Sequence, residues 1–129
     1  MQRIKDVPGV APTPRFFCHG VKAGDTVYVS GQVAADAEGN VVGKGDMAAQ
    51  TRQAIANVEA VLATAGATLA DVVKMTMYVT DMARAPEARK VRDEYFSKHP
   101  PASTGLEVSA LAHPDLLIEL DCIAVVERR

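Results

Sequence analysis

The residues that differ most in character from their neighbours are two carboxylates in an apolar stretch near the C-terminus. Glu119 and Asp121 alternate with leucine, isoleucine and cysteine. An acidic side chain in an apolar strand costs free energy unless it is paired or does chemistry. Two carboxylates on one face of a strand can also raise the pKa of one of them. The pattern leaves Glu119 open to two interpretations, a reactive group or a carboxylate satisfied by its neighbours, and favours a structural role for Asp121.

Cysteine and histidine, which could carry other chemistry, are scattered along the chain. Cys18 and Cys122 form no CxxC motif, and His19, His99 and His113 belong to separate segments. This spacing argues against a metal site. The charged, proline-containing N-terminus lacks the apolar stretch of a signal peptide, so we expect a cytoplasmic protein with reduced thiols. No base for a nucleophilic cysteine is evident, and only His19 merits a functional test.

Length and charge exclude several classes of protein. The 129 residues, 48% of them apolar, are enough for one domain spanning residues 1–129. The 14 basic residues are balanced by 16 acidic ones, whereas a nucleic-acid-binding surface normally carries a marked basic excess. No apolar run approaches the roughly 20 residues that span a bilayer. We therefore expect neither nucleic acid nor a membrane among the partners.

The elements that would position these residues follow from hydrophobic periodicity. Residues 1–14 are expected to form an extended lead-in rich in proline and glycine. Alternating residues predict strands, and three- and four-residue spacing predicts helices. The predicted strands cover residues 16–21, 26–33, 73–79, 105–111 and 116–126, and the predicted helices cover residues 46–65 and 84–98, the second with Ala85, Ala88, Val91 and Tyr95 facing inward.

This order predicts an α+β fold, in which one mixed sheet carries both helices on the same face. The last strand is apolar on both sides, since Leu116, Ile118 and Leu120 alternate with Leu117 and other apolar residues. Two helices on one face leave the second face of the sheet uncovered. We therefore expect the second face to be buried by association with other subunits.

Short motifs spread over the chain match one family in order and with nearly gap-free spacing. They are VSGQ at 29–32, AQTR at 49–52, DVVK at 71–74, YVTD at 78–81, PAST at 101–104 and IEL at 118–120. Each motif is weak by itself, but together they cover about residues 17–126. On these residues the chain resembles the RidA/YjgF family.

The resemblance implies a homotrimer with a β-barrel-like core and a ligand cleft at each subunit junction. The implied activity is hydrolysis of enamines or imines to a keto compound and ammonia, without a metal or an organic cofactor. In the family, a carboxylate at the position of Glu119 holds the attacking water. Backbone groups at the positions of Ser30 and Gly31 line the cleft; a strand end where glycine relieves crowding is the alternative interpretation of that pair.

Four positions depart from the family pattern. Ser103 replaces an arginine that grips the substrate carboxylate, Phe17 replaces a tyrosine, and Gly105 stands where many deaminating members have a cysteine. A hydroxyl cannot form the two charge-assisted hydrogen bonds of a guanidinium. Arg92 occupies a position where enzymatic members often carry asparagine, so we hypothesise that it supplies the missing charge, although a solvated helix residue is the alternative.

The resemblance and these departures leave two main hypotheses. The first is a deaminase-like hydrolase with altered specificity for a small carboxylate or imine, using Glu119, Ser30, Gly31, Arg92 and Ser103, with Phe17, Thr104 and Gly105 lining the cleft. The second is a non-catalytic trimer, either ligand-binding or regulatory, that uses the same clefts to sense a small metabolite. The near-neutral charge argues against ribonuclease activity, and chaperone-like binding stays open.

Overall fold

The computed structural model describes residues 1–127, which form six strands and two α-helices. In chain order they are β1 (Gln2–Ile4), β2 (Gly20–Ala23), β3 (Thr26–Val33), α1 (Met47–Thr64), β4 (Val72–Val79), α2 (Ala85–Phe96), β5 (Ala102–Glu107) and β6 (Ile118–Val125). Short 3₁₀ turns at Leu69–Asp71 and Met82–Arg84 lead into β4 and α2. No helix among the described residues is long and apolar enough to cross a membrane.

The strands form one mixed sheet in the order β1-β2-β3-β6-β4-β5. All pairs are antiparallel except β4 and β5, which run parallel. The period-two pattern of β6 places Ile118, Leu120, Cys122 and Ala124 in the core beneath the helices. The predicted α+β fold, with a mixed sheet and both helices on one face, is therefore confirmed.

Helix α1 begins and ends close to the predicted positions because both ends carry recognisable signals. The Asp46 carboxylate accepts a hydrogen bond of 3.0 Å from the Ala49 N–H, which satisfies a donor that the first turn leaves unpaired. After Ala65, Gly66 adopts a φ of +77°, a conformation that favours glycine. Between these ends, one stripe of the helix packs on the sheet: Ala54, Ile55, Val58, Val61 and Leu62.

The N-terminal part of the sheet differs from the prediction. Residues 2–4, expected only as an extended lead-in, form β1 and pair with β2. The strand predicted at 16–21 is wrong in its bounds, because β2 begins only at Gly20. Phe16 and Phe17, whose apolar character suggested a strand, lie outside the sheet and are 85% and 46% exposed.

In the C-terminal half of the chain, strand β5 and helix α2 also differ from the prediction. Strand β5 occupies Ala102–Glu107 rather than residues 105–111, because it pairs with β4 from Lys74 onward. Helix α2 ends at Phe96, which is buried, whereas Tyr95 is 41% exposed and not a core residue as predicted. The Tyr95 hydroxyl interacts with the Arg52 guanidinium, so this end of the ring faces solvent instead of the core.

The sheet face opposite the helices is uncovered in the protomer. Tyr28 is 50% exposed, Val73 is 47% exposed, and Ile123 is half-buried. Glu119 and Asp121 alternate with the core residues of β6 and therefore project toward this face. The residue pattern predicted such an open face, and it is the surface on which the candidate carboxylates lie.

Candidate functional site

Glu119 lies where three strands meet. It is paired with Val33 of β3 and with Tyr78 of β4. A bulge between Val29 and Gln32 places two residues of β3, Ser30 and Gly31, opposite a single position of β6. Such bulges redirect side chains and are frequent near functional sites.

Gly31 provides the space that the Glu119 carboxylate occupies. A Cβ built on Gly31 would overlap Oε2 of Glu119 and lie 2.7 Å from its Cδ and 3.1 Å from its Cγ. No real side chain tolerates these contacts without a shift of Glu119. The glycine thus leaves room for the carboxylate in its present position, and two residues predicted for the site lie next to each other.

The environment of Glu119 favours its protonated form. Burial raises the pKa of the Glu119 carboxyl, and the nearby Asp121 carboxylate raises it further. Asp121 accepts a 2.8 Å hydrogen bond from the Tyr78 hydroxyl, and this bond raises the pKa of Tyr78. Within residues 1–127 no group donates a hydrogen bond to Glu119. Asp121 therefore has a hydrogen-bond partner, in keeping with the structural role expected for it, whereas Glu119 has none among these residues.

Ser30 and His19 hold the bulge in place. The Ser30 hydroxyl donates to the Cys18 carbonyl at 2.6 Å, and the Ser30 N–H donates to the His19 carbonyl at 2.8 Å. The buried His19 ring bonds the Ala11 carbonyl at 2.6 Å and the Gln32 side chain at 3.2 Å. Both ring nitrogens are therefore engaged, which gives His19 a structural role in tethering the N-terminal loop to β3.

Phe17 and Gly31 both line a cleft with a volume of about 170 Å³. Its other walls come from the N-terminal loop and from α1, including Pro12, Pro14 and Asn57. Asn57 donates to the carbonyls of Val33 and Ala35 and so fixes the backbone beyond the bulge. Glu119 and Ser30 are not among the residues that line this cleft, so Phe17 is joined to the carboxylate only through Gly31. We call Ser30, Gly31 and Glu119 the carboxylate half-site.

A second cleft of about 250 Å³ brings together Arg92, Ser103 and Gly105. Ser103 and Gly105 are aligned with Met75 and Met77 of β4, whose side chains face the helices. The Arg92 side chain is 24% exposed and donates to Asp93 over long distances of 3.3 and 3.4 Å. We call Arg92, Ser103 and Gly105 the arginine half-site.

Two residues change the composition of the arginine half-site from that expected. Thr104 points to the opposite face from Ser103, where it accepts a 2.6 Å hydrogen bond from Lys74 Nζ, and it does not line the cleft. Arg89, which the sequence reasoning missed, does line it. The three-residue spacing of Arg89 and Arg92 on a helix was the available signal.

The two cysteines differ in burial, since Cys122 is buried and Cys18 is partly exposed. Both cysteines are free, and burial raises the pKa of the Cys122 thiol to about 12. A thiol with so high a pKa is a poor nucleophile. Residues 1–127 contain no group of three or more histidine, cysteine, aspartate or glutamate side chains that could hold a metal ion.

The two half-sites lie on opposite faces of one sheet. Glu119 projects from β6 toward the uncovered face, whereas Ser103 and Gly105 lie on the helix side of β5. A small ligand cannot contact both half-sites of one protomer through the intervening sheet. The residues predicted to act together are thus divided into two groups within a single copy of the chain.

Comparisons with known proteins agree on the type of fold. Residues 9–126 match the family described as endoribonuclease L-PSP. A RutC family protein of Pyrococcus abyssi is 40% identical over 111 residues, 86% of this chain and 87% of the relative. A 3-aminoacrylate deaminase RutC of Acinetobacter baylyi is 36% identical over 118 residues, 92% of this chain and 93% of the relative. The crystal structure of the YjgF gene product of E. coli superimposes with a TM-score of 0.88 at 30% identity, covering 98% of this chain and all of that chain.

Proposed function

The chain belongs to the RidA/YjgF family, and from this premise we propose that it hydrolyses a small imine or enamine in clefts between three copies of the chain. The relative named 3-aminoacrylate deaminase supports a deaminase-like role, since it aligns over most of both chains. The proposal treats residues 1–129 as one domain that supplies both half-sites to the assembly.

The reaction requires an oriented water molecule and a proton at the departing nitrogen. Water adds its oxygen to the imine carbon and a proton to the nitrogen, giving a carbinolamine; breaking the C–N bond then releases ammonia and leaves a carbonyl. An enamine first takes a proton on carbon to become the imine. We assign Glu119 to hold the water, take its proton and return one to nitrogen, the roles of a general base and acid.

The observation that supports this assignment best is the state of Glu119. Its carboxylate lies over Gly31 on an uncovered face, its pKa is raised by burial and by Asp121, and no group in the described part of the chain donates to it. A carboxyl group whose pKa is shifted toward neutrality accepts and returns protons more readily near physiological pH. A purely structural carboxylate would be expected to have a partner.

A trimer would explain why the half-sites are divided. If the uncovered sheet faces associate around a threefold axis, the carboxylate half-site of one copy can meet the arginine half-site of its neighbour at each junction. Association would also bury exposed apolar side chains such as Tyr28 and Leu106. The proposal therefore makes the assembled trimer, not the single chain, the active species.

The substrate should differ from that of members with the anchoring arginine. Ser103 offers one neutral hydrogen bond where a guanidinium would give two charge-assisted ones. Arg92 lies in the same cleft and can take over the contact with a substrate carboxylate from the helix side. Because its guanidinium projects from α2 instead of β5, the carboxylate would lie at a different distance from Glu119, which favours a substrate of different length.

Ammonia release from imines generated in situ by an amino-acid oxidase tests the proposal. We expect acceleration by the wild type and its loss in Glu119→Gln, whereas Glu59→Gln, an exposed carboxylate of α1, should behave as wild type. Arg92→Ala should weaken the binding of active carboxylate ligands. Equal acceleration by wild type and Glu119→Gln, or unchanged ligand binding in Arg92→Ala, would contradict these assignments.

The absence of a charged anchor at Ser103 favours a second candidate, a trimer that binds a metabolite without turning it over. Calorimetry distinguishes the two, because tight binding of a carboxylate with no acceleration of ammonia release would support the second candidate. Sedimentation at micromolar concentration tests both. A fully folded and active monomer would remove the junction clefts and with them both candidates.

A further inference from the structure

Two arginines, not one, line the cleft of the arginine half-site. Arg89 and Arg92 are three residues apart on α2, which places them on one side of the helix. Apolar side chains of Met77, Val79 and Ala85 form part of the wall near them, and no carboxylate from residues 1–127 lines the cleft. The cleft therefore concentrates positive charge over an apolar floor.

Other arginines of this region have well-formed partners. Arg84 pairs with Glu87 at 3.0 Å, and Arg52 forms a two-pronged pair with Glu94 at 2.6 and 3.0 Å. The arginines of the cleft are less well paired within residues 1–127, where Arg92 reaches only its neighbour Asp93, at 3.3 Å. Among the described residues, Arg89 forms one side-chain hydrogen bond, a long one of 3.9 Å to the Met82 sulfur.

Two acidic residues lie close to the cleft, and neither neutralises it fully. Asp93 takes the long hydrogen bonds from Arg92 described above, and its own side chain is 67% exposed. Glu107, on the exposed strand β5, accepts a 2.8 Å hydrogen bond from the Met82 N–H. Like charges one turn apart on a helix repel each other, and a ligand that carries negative charge of its own would relieve that repulsion.

We propose that the ligand of this cleft carries two anionic groups, one held by Arg92 and one by Arg89, so that the substrate class is an imine or enamine of a dicarboxylic acid. This inference rests on the proposed function, because it places the reacting carbon toward the Glu119 of a neighbouring copy. The volume of about 250 Å³ lies below the roughly 300–1,000 Å³ of sites for drug-sized ligands, as expected for a small metabolite.

Binding of matched keto acids measures the second anionic contact directly. Titration calorimetry of the full chain would compare 2-oxoglutarate with 2-oxobutyrate, which lacks the second carboxylate. We expect the dicarboxylate to bind at least about tenfold more tightly, the effect of one charge-assisted hydrogen-bonded contact. Arg89→Gln should reduce that ratio to within about twofold and leave 2-oxobutyrate binding unchanged, whereas Arg92→Gln should weaken both ligands.

Lys90→Gln is the matched control, because Lys90 is an exposed cation of the same helix that does not line the cleft. Lys90→Gln should preserve the affinity ratio of the two acids. If Lys90→Gln lowers that ratio as much as Arg89→Gln does, the effect is only a long-range effect of charge and the assignment is overturned. Equal binding of both acids to the wild type would also overturn the assignment.

If ammonia release from monocarboxylic imines still depends on Glu119 in that case, the proposed function stands and only the dicarboxylate inference fails. If no acid binds and no imine is turned over, both fail.

Discussion

The contact between Gly31 and Glu119 permits a test of the site that changes neither charge nor polarity. In Gly31→Ala the new Cβ would overlap Oε2 of Glu119 and approach its Cδ to 2.7 Å. The φ angle of Gly31 lies outside the left-handed region, so alanine itself fits the backbone. The carboxylate, being the end of a flexible side chain, is the group that must move.

The expected loss is one of activity and not of stability. Alanine in a strand is more favourable than glycine by about 0.5–1 kcal/mol, while forcing Glu119 away from its rotamer costs about 0.5–1.5 kcal/mol. These terms oppose each other, so the free energy of unfolding should change by less than about 1 kcal/mol. A carboxylate displaced by roughly 1 Å from the position in which it holds water should lower kcat/KM by about 100-fold.

Ammonia release and thermal unfolding, measured on the same preparations, separate the two effects. Gly20→Ala is the control, since its Cβ would lie 3.0 Å from the Tyr28 carbonyl oxygen and 3.1 Å from Val61 Cγ1 in the core. It should lose stability and keep activity, the reverse of Gly31→Ala. Adding Glu119→Gln to Gly31→Ala should cause little further loss, because both changes remove the same group. Full activity of Gly31→Ala would refute the argument that Glu119 acts from this position.

Three further predictions follow from the contacts and from the pKa of Glu119. Because the folded state raises that pKa, wild type should lose stability relative to Glu119→Gln as the pH rises above 4.5, the ordinary pKa of the group. The free energies of unfolding of both proteins at pH 4 and pH 8 test this, and a difference between them that does not change with pH would contradict it. Gln50→Leu should destabilise the protein by about 3 kcal/mol in urea unfolding, because it leaves the Leu117 N–H and two carbonyls unpaired; a loss below about 1 kcal/mol would show that water replaces the side chain. Asp46→Ala should cost about 1 kcal/mol through the lost bond to Ala49, and Asp46→Asn should recover most of it.

The parts of the fold that the sequence predicted well are those with a regular period and one buried face. Strands β4 and β6 and helix α1 alternate or repeat over many residues, and their ends carry capping residues or turns. β1 has only three residues and β5 is exposed along its whole length. Neither shows a period, because pairing with β2 and with β4 defines these strands, and that information is not local.

The candidate site was predicted in the same uneven way. Glu119 was visible because a carboxylate in an apolar strand is conspicuous at the level of single residues. The separation of Ser103 from Thr104 depends on the register of β5, and neighbouring residues of a strand face opposite sides. Arg89 and Ser103 share a cleft because the parallel pairing of β4 and β5 lays Ser103 beside α2, the helix that carries Arg89. A sequence motif cannot supply that pairing.

Division of the half-sites between the two sheet faces links ligand binding to assembly in the proposed trimer. A ligand that contacts the Glu119 of one copy and the Arg92 of another binds the assembled state and not the separated chains. By mass action, the ligand must then stabilise the trimer by the same free energy by which trimer formation strengthens ligand binding. The incompletely neutralised charge of the arginine half-site is unfavourable in a single chain. So is the buried Glu119 carboxylate, to which no group within residues 1–127 donates a hydrogen bond. In the proposed trimer the junction would give each of them a partner. The same residues that make the isolated protomer incomplete would thus make the trimer selective for its ligand.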